Sequence, residues 1–249
     1  MSRSANPSRH AGAWVWLFDL DNTLHDASHA IFPHLNRSMT HYIARELALD
    51  EAQAGALRMH YWQRYGATLL GLLRHHAIDA DHFLHHTHQF DNLAAMLRAE
   101  RGLRQLLARL PGRKVLLTNA PRRYAQQVLT HLGLHRYFQR SYAVEQMRLF
   151  GQYRPKPSRA MLRAIVRRER VAPHRCILVE DTLENLRSAK ACGLATVWVS
   201  GLTQRSAAAT HGIGVQKNRP HYVDLKIQSV SALSQRLRAL RTHKQRSTK

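Results

Sequence analysis

The stretch Trp14-Val-Trp-Leu-Phe-Asp19-Leu-Asp21-Asn-Thr23-Leu decides how this chain reads. Residues 13–18 are a short continuous apolar run, the pattern of a strand covered on both faces. The run ends in two carboxylates one residue apart, Asp19 and Asp21, with Thr23 two positions further on. A strand that delivers this triplet at its C-terminal end is suited to phosphoryl transfer. One carboxylate can attack phosphorus while the other handles the proton. Both can help hold a hard cation such as Mg²⁺, which takes oxygen ligands. The same residues also suit a strand followed by an Asx turn.

Three more runs of the same kind follow: 114–118 (Lys-Val-Leu-Leu-Thr), 176–180 (Cys-Ile-Leu-Val-Glu) and 195–199 (Ala-Thr-Val-Trp-Val). Helical stripes lie between them. Tyr124, Val128 and Leu132 share a face that Gly133 closes, and Met161, Leu162 and Ile165 form another stripe after Pro157. Strands alternating with helices predict an α/β fold, an open parallel sheet with helices on both faces. Tyr222-Val-Asp-Leu reads as an edge strand, and Val230, Leu233, Leu237 and Leu240 as one face of a closing helix. Residues 242–249 read as a disordered basic tail.

Residues 27–97 break the alternation. Ile31, Leu35, Met39, Tyr42, Ile43 and Leu47 keep helical spacing, as do Leu57, Tyr61 and Tyr65, then Leu69, Leu72, Leu73 and His76. No strand signal interrupts them. The expected organisation is a catalytic core of residues 1–26 and 98–241 with an all-helical cap, 27–97, inserted after the first strand. Ligands of a parallel sheet bind beyond its C-terminal strand ends, so an insertion there is expected to act as lid and specificity element.

Composition narrows the class. The 249 residues hold 38 Lys plus Arg against 16 Asp plus Glu, a net charge of +22, spread along the chain. Such a field attracts anions, including nucleotides and, non-specifically, nucleic acid. Cys176 and Cys192 are too few for a disulfide framework and lie in no zinc-type spacing. No window approaches the roughly 18 apolar residues of a membrane span. The basic segment Met1–His10 is followed by too short an apolar run for a signal peptide. A cytoplasmic protein with a loose N-terminal arm is expected.

Three further signals stand at strand ends or helix entries: Thr118-Asn119, Lys156 within Arg154-Pro-Lys-Pro157, and Glu180-Asp181-Thr182 with Asn185 beyond. In a parallel sheet these converge on one edge. In order and spacing, Asp19-x-Asp21-x-Thr23, Thr118, Lys156 and Glu180-Asp181 resemble the motifs of the haloacid dehalogenase superfamily, over nearly the whole chain. The resemblance implies a Rossmann-like parallel core and a phosphatase acting through an aspartyl-phosphate. Asp19 would be the nucleophile, and Asp21 the acid that protonates the leaving oxygen and then the base that activates water. Thr118 and the backbone amides after Asp19, beginning with Leu20, would hold phosphate oxygens, and Lys156 would offset their charge. Mg²⁺ would bind Asp19, the Asp21 carbonyl and Asp181, with Glu180 a ligand or a supporting partner.

Relatives that attack carbon to expel halide need no acid at the position of Asp21, so phosphate-ester hydrolysis is expected over dehalogenation. Mutases of the β-phosphoglucomutase type share the same set, and a phosphoglycolate or phosphosugar phosphatase would too. The segment Tyr65-Gly-Ala-Thr68-Leu-Leu-Gly71-Leu, together with Thr118-Asn-Ala120 and Asp181-Thr-x-x-Asn185-Leu, is similar to pyrimidine 5′-nucleotidases. A nucleoside monophosphate is therefore the expected small substrate, with His25 and Tyr65 contacting base or sugar and Asn119 near the phosphate. Two positions depart from that family: His25 stands where it often carries Tyr, and Glu180 where it often carries Asp. His75, His76, His82, His85, His86 and His88 read as a solvated helical face rather than a second metal site. A nucleic-acid-associated basic protein is the reading from outside enzymology.

Overall fold

In the computed structural model, residues 14–204, 216 and 218–236 are described. The N-terminal arm, position 13, Leu237, Leu240 and the basic tail lie outside them. The chain divides into two compact units, one of residues 1–26 and 99–249 and one of residues 27–98.

The first unit is built on a six-stranded parallel sheet. Its strands are β1 (Val15–Phe18), β2 (Arg113–Leu117), β3 (Arg140–Tyr142), β6 (Cys176–Glu180), β7 (Ala195–Val199) and β8 (Leu225–Ile227), ordered β3-β2-β1-β6-β7-β8. The short hairpin β4 (Arg148–Leu149) and β5 (Gln152–Tyr153) stands apart from it. The apolar runs read at 13–18, 114–118 and 176–180 carry the three central strands, Val15–Phe18, Arg113–Leu117 and Cys176–Glu180, because both their faces are covered. Val15 and Leu17 of β1 join Val115, Leu117 and Leu178 in one core, closed by Met161, Leu162 and Ile165 of α8 (Arg159–Arg168) and by Leu186 and Ala189 of α9 (Leu183–Ala191). Trp16 and Phe18 alternate to the opposite face, where Phe18 meets Phe138 edge-on at 6.0 Å. Each such buried side chain contributes about 1.5–3 kcal/mol of hydrophobic stabilisation.

Register places the chemistry. Phe18 pairs with Leu116 on one side and Val179 on the other. Asp19, Thr118 and Glu180 therefore leave adjacent strands at nearly the same level of the carboxyl edge. The helix α6 (Leu103–Arg109) precedes β2, and α7 (Arg122–His131) follows it after the turn Thr118–Pro121.

The expected edge strand Tyr222-Val-Asp-Leu is displaced: the strand is Leu225–Ile227. Asp224 instead accepts the backbone N–H of Thr196 at 2.9 Å and bonds Lys190, so the preceding residues turn rather than pair. Val230–Ala232 is a 3₁₀ turn.

The second unit is helical, with α1 (Ile31–Leu47), α2 (Glu51–Tyr65), α3 (Thr68–His75), α4 (Ala80–Thr87) and α5 (Leu93–Met96). Asp50 caps α2 in a capping box with Gln53, and Asp79 caps α4. Within it α2 packs on α1 and α3, and α1 on α4. The α2–α3 approach depends on Gly71, where a β-carbon would lie 2.2 Å from the Tyr61 ring. Three histidines of this unit bond to tyrosines: His82 to Tyr42 at 2.7 Å, His76 to Tyr61 at 2.8 Å and His75 to Tyr65 at 2.6 Å. Among the described residues of the chain, no helix is long and apolar enough to cross a membrane.

Candidate active site

Asp19 follows β1 directly and is 6 % exposed. Its Oδ1 accepts from Lys156 Nζ at 2.6 Å and its Oδ2 from the Thr23 hydroxyl at 3.2 Å. The turn that carries Thr23 is closed by Thr23 and Leu24 N–H groups donating to the Leu20 carbonyl, with Asn22 in the left-handed region at φ 56°. Asn tolerates that conformation better than most residues do. The turn brings a hydroxyl back over the carboxylate.

Lys156 Nζ also donates to Glu180 Oε2 at 2.7 Å, so one buried ammonium serves two buried acids. Its loop is held by Asn119, which donates to the Lys156 carbonyl and accepts from the Lys156 N–H, each at 2.9 Å. The Asn119 amide is thus engaged in placing Lys156. Thr118, also buried, accepts from the Ala120 N–H at 3.0 Å.

The acids crowd one another. Burial, then the Glu180 charge, pushes Asp19 up to about 7 against the pull of Lys156. Burial pushes Glu180 up to about 7 as well, with Lys156 opposing and Asp181 adding to the shift. Asp181 is raised by burial and by Asp19. Burial would lower the Lys156 ammonium, but Asp19 and Glu180 outweigh it and raise the group. One atom from each of Asp19, Glu180 and Asp181 lies within 4.8 Å of the others. Three oxygen donors short of positive charge fit a hard divalent cation. Glu180 accepts from Lys156 at Oε2 and from the Thr182 N–H at Oε1.

Three supporting residues escaped the sequence reading. Thr203 donates to Asp181 Oδ2 at 2.9 Å, and Trp198 Nε1 donates to the Asp181 carbonyl at 3.0 Å. Tyr124, on the apolar stripe of α7, donates to Asp21 Oδ1 at 2.7 Å. The signal was its hydroxyl, since a buried tyrosine needs a partner for that group.

The expected site residues fall into three groups. Asp19, Lys156, Glu180 and Asp181 meet directly, and Asp21 is near enough to add to the Asp19 shift. His25, expected to contact base or sugar, is 1 % exposed and directs Nε2 to Asp21 Oδ1 at 2.9 Å. Tyr65 belongs to the other unit, where its ring lies under the guanidinium groups of Arg64 and Arg74 at 5.7 and 5.8 Å.

Comparison with known proteins gives a consistent picture. The family of haloacid dehalogenase-like hydrolases matches residues 15–193. Phosphate metabolism protein 8 of Saccharomyces cerevisiae is 30 % identical over 129 residues, 48 % of this chain. The matched part spans 40 % of that protein's length. Among solved structures, a HAD phosphatase from Thermococcus onnurineus superimposes with a TM-score of 0.60 at 18 % identity, covering 90 % of this chain and 97 % of its own. CbbY from Rhodobacter sphaeroides, solved with phosphate, gives 0.60 at 20 % identity over 89 % and 96 %. At such identities the likeness is one of fold.

Proposed function

Because this chain belongs to the family of haloacid dehalogenase-like hydrolases, we propose that it is a divalent-cation-dependent phosphatase of small phosphate monoesters, with pyrimidine nucleoside 5′-monophosphates as its preferred class. The observation that carries the hydrolysis of a phosphate ester is Asp21. It is a second carboxylate on the turn after Asp19, tethered by hydrogen bonds to His25 and Tyr124. Attack on carbon to expel halide has no use for a proton donor there, whereas an alkoxide leaving group needs one.

In this reading an Asp19 oxygen attacks phosphorus and the bond from phosphorus to the ester oxygen breaks. The electron pair goes to that oxygen, which takes the proton of Asp21. Asp21, now a carboxylate, removes a proton from water as the water oxygen attacks the same phosphorus. The bond to Asp19 breaks, which returns the Asp19 carboxylate and releases inorganic phosphate. Lys156 stabilises charge on Asp19 and on the phosphoryl oxygens, Thr118 and the Leu20 amide hold those oxygens, and Asn119 keeps Lys156 in place. Asp19, Asp181 and the Asp21 carbonyl would hold Mg²⁺, which supplies charge neutralisation of the phosphoryl group.

The substrate class rests on the segment from Tyr65 to Leu72 and on Tyr65 itself, an aromatic ring flanked by two arginines, a combination suited to a base and an anion. The experiment is phosphate release from UMP, CMP, dTMP, AMP, GMP and phosphoglycolate, with Mg²⁺ and with EDTA. Mg²⁺-dependent preference for the pyrimidines supports both parts. Activity confined to phosphoglycolate keeps the chemistry and removes the nucleotide assignment.

A further inference from the structure

We propose that Tyr124 and His25 are positioning residues that together fix the Asp21 carboxyl group for proton transfer to the leaving oxygen. The proposal rests on the phosphatase reading above, with Asp21 as the proton donor.

Three polar atoms meet at one point. Tyr124 OH lies 2.7 Å from Asp21 Oδ1, His25 Nε2 lies 2.9 Å from the same oxygen, and the two donors are 3.4 Å apart. Both side chains are 1 % exposed. Asp21 and His25 stand at two ends of the turn after β1, and Tyr124 comes from the first turn of α7. An isolated bridge between the backbones of Asp21 and His25 holds the first two in register.

The histidine tautomer follows from its other nitrogen. Nδ1 is buried without a hydrogen-bond partner among the described residues. A proton there would leave a buried donor unmet and turn the Nε2 lone pair toward a carboxylate oxygen. With the proton on Nε2, the ring donates to Asp21 instead. The Tyr124 hydroxyl likewise donates to Asp21 Oδ1.

Two donors on one oxygen stop the carboxyl group from rotating about its Cβ–Cγ bond. Proton transfer is sensitive to that rotation, because the acid must lie in line with the breaking bond. A carboxylate on a surface turn with no such partners would sample several rotamers. The architecture therefore spends a core tyrosine and a core histidine on holding one side chain still. Their expected contribution falls on the step that protonates the leaving group, and little on substrate binding.

The test compares two esters in a single turnover with enzyme in excess. p-Nitrophenyl phosphate releases a leaving group that needs no proton, and glycerol phosphate releases one that does. Tyr124→Phe removes only the hydroxyl. It is expected to slow alcohol release by about tenfold or more and p-nitrophenolate release by less than about twofold. Asp21→Asn should show the same selectivity, more strongly. His25→Leu should resemble Tyr124→Phe, while His25→Gln, which retains an N–H donor, should recover part of the loss; this pair carries the test if Tyr124→Phe fails to fold. Equal slowing of both esters by Tyr124→Phe and His25→Leu, or no slowing of either, overturns the positioning role while Asp21→Asn remains selective. If Asp21→Asn itself slows both esters equally, the proton-donor reading of Asp21 fails and the proposal with it.

Discussion

The ammonium of Lys156 lies 2.6 Å from a carboxylate oxygen of Asp19, with both side chains more than nine-tenths buried. To act as the proposed nucleophile, Asp19 must stay ionised in spite of burial and of acidic neighbours, and Lys156 is the group that opposes both effects. Its attachment is indirect but firm, because Asn119 grips the Lys156 backbone from the end of β2. One strand end therefore sets the position of a residue from another segment.

Replacing Lys156 by alanine removes the cation from between Asp19 and Glu180. Activity should fall by about 10²–10³, the cost of losing one preorganised electrostatic contact. Without metal the fold should also lose about 3–5 kcal/mol, the usual cost of stranding a buried charge. Steady-state kinetics and urea titration check the two parts. A loss under tenfold would assign Lys156 to structure alone.

Asp19 and Glu180 are raised to about 7 in the fold, burial being the largest cause for each. An acid raised in the folded state holds its proton where the unfolded chain has lost it. Stability from these two groups therefore declines as pH rises from the ordinary carboxylate range to about 7, and stays lower above it. A divalent cation needs ionised ligands, so its stabilisation should grow across the same window. Melting temperatures measured with Mg²⁺ and with EDTA at about pH 5 and about pH 8 should show a larger metal-induced rise at the higher pH. Equal rises would place the cation elsewhere.

Thr203 donates to Oδ2 of Asp181, the carboxylate that the metal reading uses. Thr203→Val keeps the shape and removes the donor. The Mg²⁺ concentration for half-maximal activity should rise by about 10–100-fold, with kcat at saturating Mg²⁺ little changed. An unchanged Mg²⁺ requirement would show that Asp181 needs no such support.

Legibility in the sequence follows burial. β6 and β7 read to the residue because every position in them is buried. β3 is three residues with an exposed arginine and one buried tyrosine, too short and mixed for any periodicity. The expected strand at 222–225 starts too early because Tyr222 and Val223 favour strands, while Asp224 serves as an acceptor for Thr196. In the site, Asp19, Lys156, Glu180 and Asp181 were visible as motif residues. Tyr124, which bonds Asp21, and Thr203, which bonds Asp181, were not, since a tyrosine in a helical stripe and a threonine after a strand carry no pattern of their own. Asn119 was visible, but its engagement with the Lys156 backbone depends on a contact 37 positions away.

Gly71 allows α3 to lie against Tyr61. Gly71→Ala forces a β-carbon into that ring and should destabilise the helical unit by about 1–3 kcal/mol, read as a lower melting temperature. A melting temperature at or above that of the wild type would show that Tyr61 can move aside at no cost.

The most direct test of the central claim is phosphate release from UMP with Mg²⁺ by the wild-type protein and by Asp19→Asn, side by side, with melting curves for both. If Asp19 is the nucleophile, the wild type turns over and the variant loses about a thousandfold or more while it still folds. A folded Asp19→Asn protein within tenfold of the wild type would contradict the aspartyl-phosphate mechanism.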